Sequence, residues 1–197
     1  GVRRVIGIPG GAAVVADNSW AAMRGAGALA IRFRATAHDA LDSSIISRQM
    51  RAGLDADARA IEARGDGDVA AAFAAAADTF EATYEAPYLS HAPLEPWTCT
   101  LELDAEGVLH LWAPSQAQDR YRTTAAQAAG LPPERVRIHT TLLGGGFGRR
   151  LGADGVPGAV ATALALGQPV KFFWRREDEM AQGWYRPAQV ARLRAAI

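Results

Sequence analysis

The sequence predicts an α+β fold. Three observations carry that prediction: β-branched runs joined by short turns, helical stretches that stop at glycine, and one strand–loop–helix–strand unit among the hairpins. A doubly wound sheet would alternate strand and helix throughout, whereas hairpins recur here.

The elements follow in order. Residues 2–8 (VRRVIGI) and 12–16 flank Pro9-Gly10-Gly11 and read as a hairpin, because Gly and Pro supply turn dihedrals that β-branched residues avoid. Asp17-Asn18-Ser19 can cap a helix over residues 20–29, and residues 30–34 read as another strand. Residues 35–68 are polar and irregular, with one helix over 44–54 started by Asp42-Ser43 and a turn at Gly65-Asp66-Gly67. An alanine-rich helix over 70–77 has high propensity but little apolar surface to bury.

Strands are predicted over 80–88, 97–103 and 108–113, the last two around the turn Asp104-Ala105-Glu106-Gly107. A helix over 118–129 stops at Gly130, with Pro132-Pro133 beyond it. Residues 136–143 read as a strand, 144–150 as a glycine-rich loop, 157–166 as a helix ended by Gly167, and 170–175 as a strand. The expected organisation is an N-terminal piece over 1–36, a connector over 37–78 and a main domain over 79–197, with residues 1–34 packing apart from the later sheet.

Composition excludes several function classes. The 197 residues are 49% hydrophobic and 21% charged, and 21 Lys and Arg balance 21 Asp and Glu, so no net field selects nucleic acid or an anionic membrane. The single cysteine, Cys99, can form neither an internal disulfide nor an iron–sulfur cluster and reads as a small buried hydrophobe. Four scattered histidines build no metal site of their own, so no direct metal ligand is expected and any metal must arrive inside a cofactor. No run of apolar residues is long enough to span a bilayer. The start at Gly1, directly in a strand-like segment, reads as a cut or processed end, which leaves cytoplasm and periplasm equally open.

The most informative segment is Gly144-Gly145-Gly146-Phe147-Gly148-Arg149-Arg150. Glycines remove Cβ atoms and permit positive φ, so backbone N–H groups can approach and point at an anion or oxo group. Arg149 and Arg150 add charge suited to phosphate, and the following helix directs its positive end the same way. A tight packing turn is the plain alternative. A Walker loop fails because Arg and Leu stand where Lys and Ser or Thr are needed, and a dinucleotide fingerprint fails at Arg149 and lacks a later acidic residue.

GGGFGRR is similar to the loop by which molybdenum hydroxylases of the xanthine dehydrogenase/aldehyde oxidase superfamily hold their cofactor. The Arg-Arg pair resembles the isoquinoline 1-oxidoreductase beta-subunit branch. Further resemblances follow in one order: His91-Ala92-Pro93-Leu94-Glu95-Pro96, Trp112-Ala113-Pro114-Ser115-Gln116, Leu131-Pro132-Pro133-Glu134-Arg135-Val136, Trp174-Arg175-Arg176-Glu177-Asp178-Glu179-Met180 and Tyr185-Arg186-Pro187. Residues 10–34 resemble the end of the α/β hammerhead domain that precedes the cofactor domain. The resemblance thus implies the end of a hammerhead-like domain followed by the first part of a molybdopterin-binding α+β domain with a mixed sheet.

It also implies roles. Gln116 matches a glutamine that donates to the metal's oxo ligand, Phe147 matches an aromatic bordering the metal, and Gly145, Gly146, Gly148 and Arg149 fall in the cofactor loop. His91 and Glu95 are weaker candidates for the substrate pocket, and Arg175 to Glu179 reads as a solvated ion-pair run. Leu151 stands where the xanthine dehydrogenase branch carries a substrate-binding glutamate, so xanthine-type recognition is not expected. The general base is expected beyond Ile197, leaving no catalytic residue in this stretch.

The implied activity is hydroxylation of an N-heterocycle or aldehyde with oxygen from water. It would use a molybdenum-molybdopterin cofactor, as the cytosine dinucleotide, with iron–sulfur clusters on a small partner subunit and the remaining C-terminal half of the same subunit. Two other readings stand beside it: an isolated non-catalytic fragment that binds no cofactor, and a nucleotide-binding α/β enzyme. Gln116 and residues 144–148 are expected to converge on one concave surface, because both follow strands, 108–113 and 136–143, whose helix-bearing connection is long enough for a crossover and favours parallel pairing.

Overall fold

The computed structural model describes residues 1–55 and 60–197; part of the expected connector, residues 56–59, lies outside the described residues. Two compact units result, one made of Gly1–Arg32 and Ser90–Trp184, the other of Phe33–Leu89 and Tyr185–Ile197.

The first unit is built on a four-stranded mixed sheet. β4 (Thr98–Leu103) and β5 (Leu109–Ala113) form an antiparallel hairpin. Its turn is closed by Asp104, whose carboxylate accepts the Val108 N–H at 2.7 Å. β6 (Val136–Thr140) runs parallel to β5, and β7 (Val170–Phe173) runs antiparallel to β4. The parallel pair needs a crossover, supplied by α4 (Gln118–Ala129). Gly130 ends α4 in a left-handed conformation, and the next N–H, of Leu131, returns to the Ala126 carbonyl at 2.9 Å.

Alternation along the strands puts Cys99 and Leu101, with Leu109, Leu111 and Ala113, on one buried face. α4 contributes Tyr121, Ala125 and Ala126 to that core, and α5 (Val156–Leu166) contributes Val156, Ala159, Val160 and Ala163. Trp97 fills the space beneath the start of α5. Its ring lies where a Cβ on Gly155 would approach to 2.6 Å, and its indole N–H donates to the Tyr121 hydroxyl at 3.1 Å. Burial pushes the Cys99 thiol well above its ordinary range. It will therefore resist an aromatic disulfide reagent in the native protein and react only on unfolding, as thiol titration with and without denaturant will show; rapid native reaction would contradict this packing.

β1 (Val2–Ile8) and β2 (Gly11–Ala16) form the expected hairpin, followed by α1 (Ser19–Gly27), whose N-cap Asn18 accepts the Ala21 N–H at 2.9 Å. The hairpin packs on α5, with the Arg4 guanidinium donating to the Ala165 carbonyl at 2.9 Å. Residues 1–32 therefore share a unit with residues 90–184, so the compact units do not follow the boundaries expected at 36/37 and 78/79. Ala30 to Arg34, expected as a strand, joins no ladder among the described residues, and Ile31 and Phe33 are exposed.

In the second unit β3 (Thr79–Ala86) pairs antiparallel with β8 (Gln189–Ala196), a strand the sequence did not announce. α2 (Ser43–Leu54), capped by Asp42, and α3 (Val69–Ala75) pack on β8. Arg51 bonds Glu85 within this unit. The strand expected over 80–88 therefore belongs with residues 33–89 and not with the four-stranded sheet.

Candidate functional site

Because β5 and β6 are parallel, their C-terminal ends emerge side by side, and the ladder continues through the Thr141 N–H to the Ala113 carbonyl at 3.2 Å. Gln116 follows β5, and residues 144–148 follow β6. The two meet: a Cβ on Gly146 would stand 2.6 Å from the Gln116 side-chain carbon Cδ, and the Gln116 N–H donates to the Arg150 carbonyl at 3.1 Å.

The loop has the backbone that its glycines allow. Gly145 and Gly148 lie at φ of 104° and 88°, Phe147 at 51°, and a 3-10 turn over Arg149–Leu151 follows before α5. Among the described residues, no backbone bond is donated by Gly145, Gly146 or Gly148. Among the described residues, Phe147 and Ala92 (φ 40°) are the positive-φ non-glycine residues, and both lie here. Such backbone costs about 1–3 kcal/mol per residue and collects at functional sites.

Residues 91–95 run alongside. Glu95 clamps Gly144 twice, its N–H donating to the Gly144 carbonyl and its carboxylate accepting the Gly144 N–H, each at 3.0 Å. Pro93 lies 3.3 Å, and His91 Nε2 3.8 Å, from where Cβ atoms on Gly145 and Gly148 would stand.

Behind the loop lies a buried charge network. Arg149, 2% exposed, donates to both carboxylate oxygens of Asp154 at 2.8 Å, pairs with Glu179 at 3.3 Å, and lies over the Trp174 ring. Burial works against the Arg149 charge, but the hydrogen bonds and negative charge of Asp154, with that of Glu179, outweigh it and hold its pKa above the ordinary value. Arg150, 0% exposed, donates to Glu179 at 3.0 Å and to the Glu95 carbonyl. Glu179 sits in α6 (Arg176–Ala181), and its second carboxylate oxygen accepts the Trp97 N–H at 2.7 Å. A side chain on Gly183 would collide with the Arg149–Asp154 pair, so glycine at that position is a packing requirement.

Residues 54–197 match the molybdopterin cofactor-binding domain. This chain belongs to that family. It is 28% identical over its full length to the isoquinoline 1-oxidoreductase subunit beta of Brevundimonas diminuta, of which it spans 26%. It is 37% identical over 65% of its length to the aldehyde oxidoreductase molybdenum-binding subunit PaoC of Escherichia coli K12, of which it spans 18%. The fold resembles quinoline 2-oxidoreductase from Pseudomonas putida 86, with a TM-score of 0.68, 21% identity, and coverage of 94% of this chain and 24% of that one. The α+β architecture with a mixed sheet is thus shared with that structure.

Within this molybdopterin-binding domain, Gln116, Gly145, Gly146, Phe147, Gly148, His91 and Glu95 gather at one place. Two expectations are corrected. Arg149 does not present its charge to a phosphate; Asp154 and Glu179 occupy it, and it is buried. The run from Arg175 to Glu179 is not wholly solvated, because Glu179 is 1% exposed. Sequence reasoning missed Glu179 and Asp154 as supports. The available signal was the Arg149-Arg150 pair itself, since two arginines beside a tight loop need counter-charges once buried. Among the described residues there is no cluster of three His, Cys, Asp or Glu able to hold a metal, and no helix long and apolar enough to cross a membrane.

Proposed function

We propose that this chain forms the glycine-loop side of the cofactor site in a molybdenum hydroxylase acting on N-heterocycles or aldehydes. The observation that carries the reading is the approach of Gln116 to a loop whose Gly145, Gly146 and Gly148 amides donate no backbone hydrogen bond among the described residues. Neutral N–H donors gathered in one loop suit an anionic or oxo oxygen. When bound, the molybdenum cofactor supplies the redox chemistry that places water-derived oxygen on an electron-poor carbon.

The chain's part is orientation. The amides of Gly145, Gly146 and Gly148 and the Gln116 side chain hold the group, while Phe147, 60% exposed, borders the space above them. Arg149 serves as a brace behind the loop. Glu95, whose carboxylate is taken by Gly144, serves as its clamp, and His91 lines the edge. Residues 1–36 as the end of a hammerhead-like domain, the cytosine dinucleotide form of the cofactor, a small iron–sulfur partner subunit and a general base in sequence beyond Ile197 complete the proposal. Substrate class follows the names of the relatives, which include isoquinoline and aldehyde enzymes.

The test is to purify the complete protein from a host that makes molybdopterin and to assay metal and pterin. About one molybdenum and one pterin per chain are expected. A protein that holds neither, or that instead binds ATP or NAD tightly, would overturn the reading.

A further inference from the structure

We propose that Arg150 is a positioning residue: its backbone carbonyl holds the Gln116 N–H, its guanidinium fork holds Glu95 and through it the first glycine of the loop, and Glu179 is its counter-charge. The proposal rests on the cofactor-site reading above and deepens it, because it explains how the two halves of that site are held at one spacing.

Arg150 reaches both halves. Its backbone carbonyl accepts the Gln116 N–H at 3.1 Å, which fixes the start of the segment that carries the amide side chain. Its Nη2 donates to the Glu95 carbonyl, and Glu95 in turn clamps Gly144 through two 3.0 Å bonds. The other arm, Nη1, is anchored to Glu179 at 3.0 Å, and Glu179 is itself tied to the Trp97 N–H. Arg176 reinforces the same stretch by donating to the Pro93 and Leu94 carbonyls, each at 2.7 Å. Gln116 and Gly144 therefore share one support, although they follow different strands.

Charge alone does not account for this arrangement. Arg150 is fully buried and its charge is met by Glu179, so it offers no cation to a ligand at the surface. What it offers is geometry: a planar fork serves two acceptors in two fixed directions, which a lysine ammonium on a flexible stem does not reproduce. The α6 segment, remote in sequence from the loop, thereby becomes part of the site.

The decisive comparison is Arg150→Lys, which keeps the charge beside Glu179 and removes the fork. In the complete protein purified without cofactor, amide hydrogen exchange at Gln116 and Gly144 should accelerate by about ten-fold or more, while amides in β4 and α5 keep their protection. Val160→Ala, a core change that touches none of these bonds, serves as the reference for general loosening. If Arg150→Lys leaves both amides unchanged, or if Val160→Ala accelerates them equally, the positioning role is wrong. In the loaded protein, Arg150→Lys should weaken molybdenum retention by about 10–100-fold, the effect typical of a group that orients a ligand from behind. A wild-type protein that holds no molybdenum would defeat the cofactor reading, yet the exchange comparison would still decide the positioning role.

Discussion

Replacing Glu179 with leucine will destabilise the protein by about 3–5 kcal/mol, because one partner of a buried ionic network is removed and the others are left in place. The carboxylate serves three groups at once. Arg149 and Arg150 share one oxygen, and the Trp97 N–H uses the other. Arg149 would keep Asp154, but Arg150 would keep only the Glu95 carbonyl for its buried charge. Leucine also offers no acceptor to the Trp97 N–H, a further buried donor left unpaired. Glu179→Gln preserves shape and an acceptor and should cost less, with the same sign. Urea unfolding of the two variants against wild type checks this. A loss below about 1 kcal/mol for Glu179→Leu would give the pair no more weight than an exposed ion pair and would contradict the burial seen here.

Gln116→Ala should lower turnover by about 10²–10³-fold, the cost of removing one donor from an oxygen-binding site. Stability should change by less than about 0.5 kcal/mol, since the side chain is exposed and its backbone bond to Arg150 survives in alanine. Steady-state kcat with an aldehyde or N-heterocycle, measured beside the melting temperature, separates the two effects. Gly146→Ala should act in the same direction, because its Cβ would meet Gln116 Cδ at 2.6 Å and displace the amide, a flexible end that can move without unfolding the chain. Gly144→Ala differs: its Cβ would stand 2.4 Å from Glu95 Cβ, close to backbone, so folding itself should suffer. A Gln116→Ala protein with undiminished kcat would remove this residue from the proposed site.

How much of this was legible varies residue by residue. The sequence by itself determined the C-terminal limit of α4, because the stop at Gly130 is local chemistry. It also favoured the parallel pairing of β5 and β6 that the structure has, because the connection is long enough for a crossover and carries a helix. That pairing brings Gln116, singled out by the family resemblance, beside the glycine loop. Only the tertiary structure decided that β8 is a strand: Gln189–Ala196 reads VARLRAA after its first residue, a helix-tolerant composition, and β3, more than a hundred residues away, supplies the ladder. Likewise, Ala30 to Arg34 has strand-like residues but no ladder partner among the described residues. Only the tertiary structure, too, turned Arg149, Arg150 and Glu179 from surface charges into a buried network. Periodicity and capping report interactions within a few residues, whereas the burial of a charge depends on which distant carboxylate the folded chain brings to it.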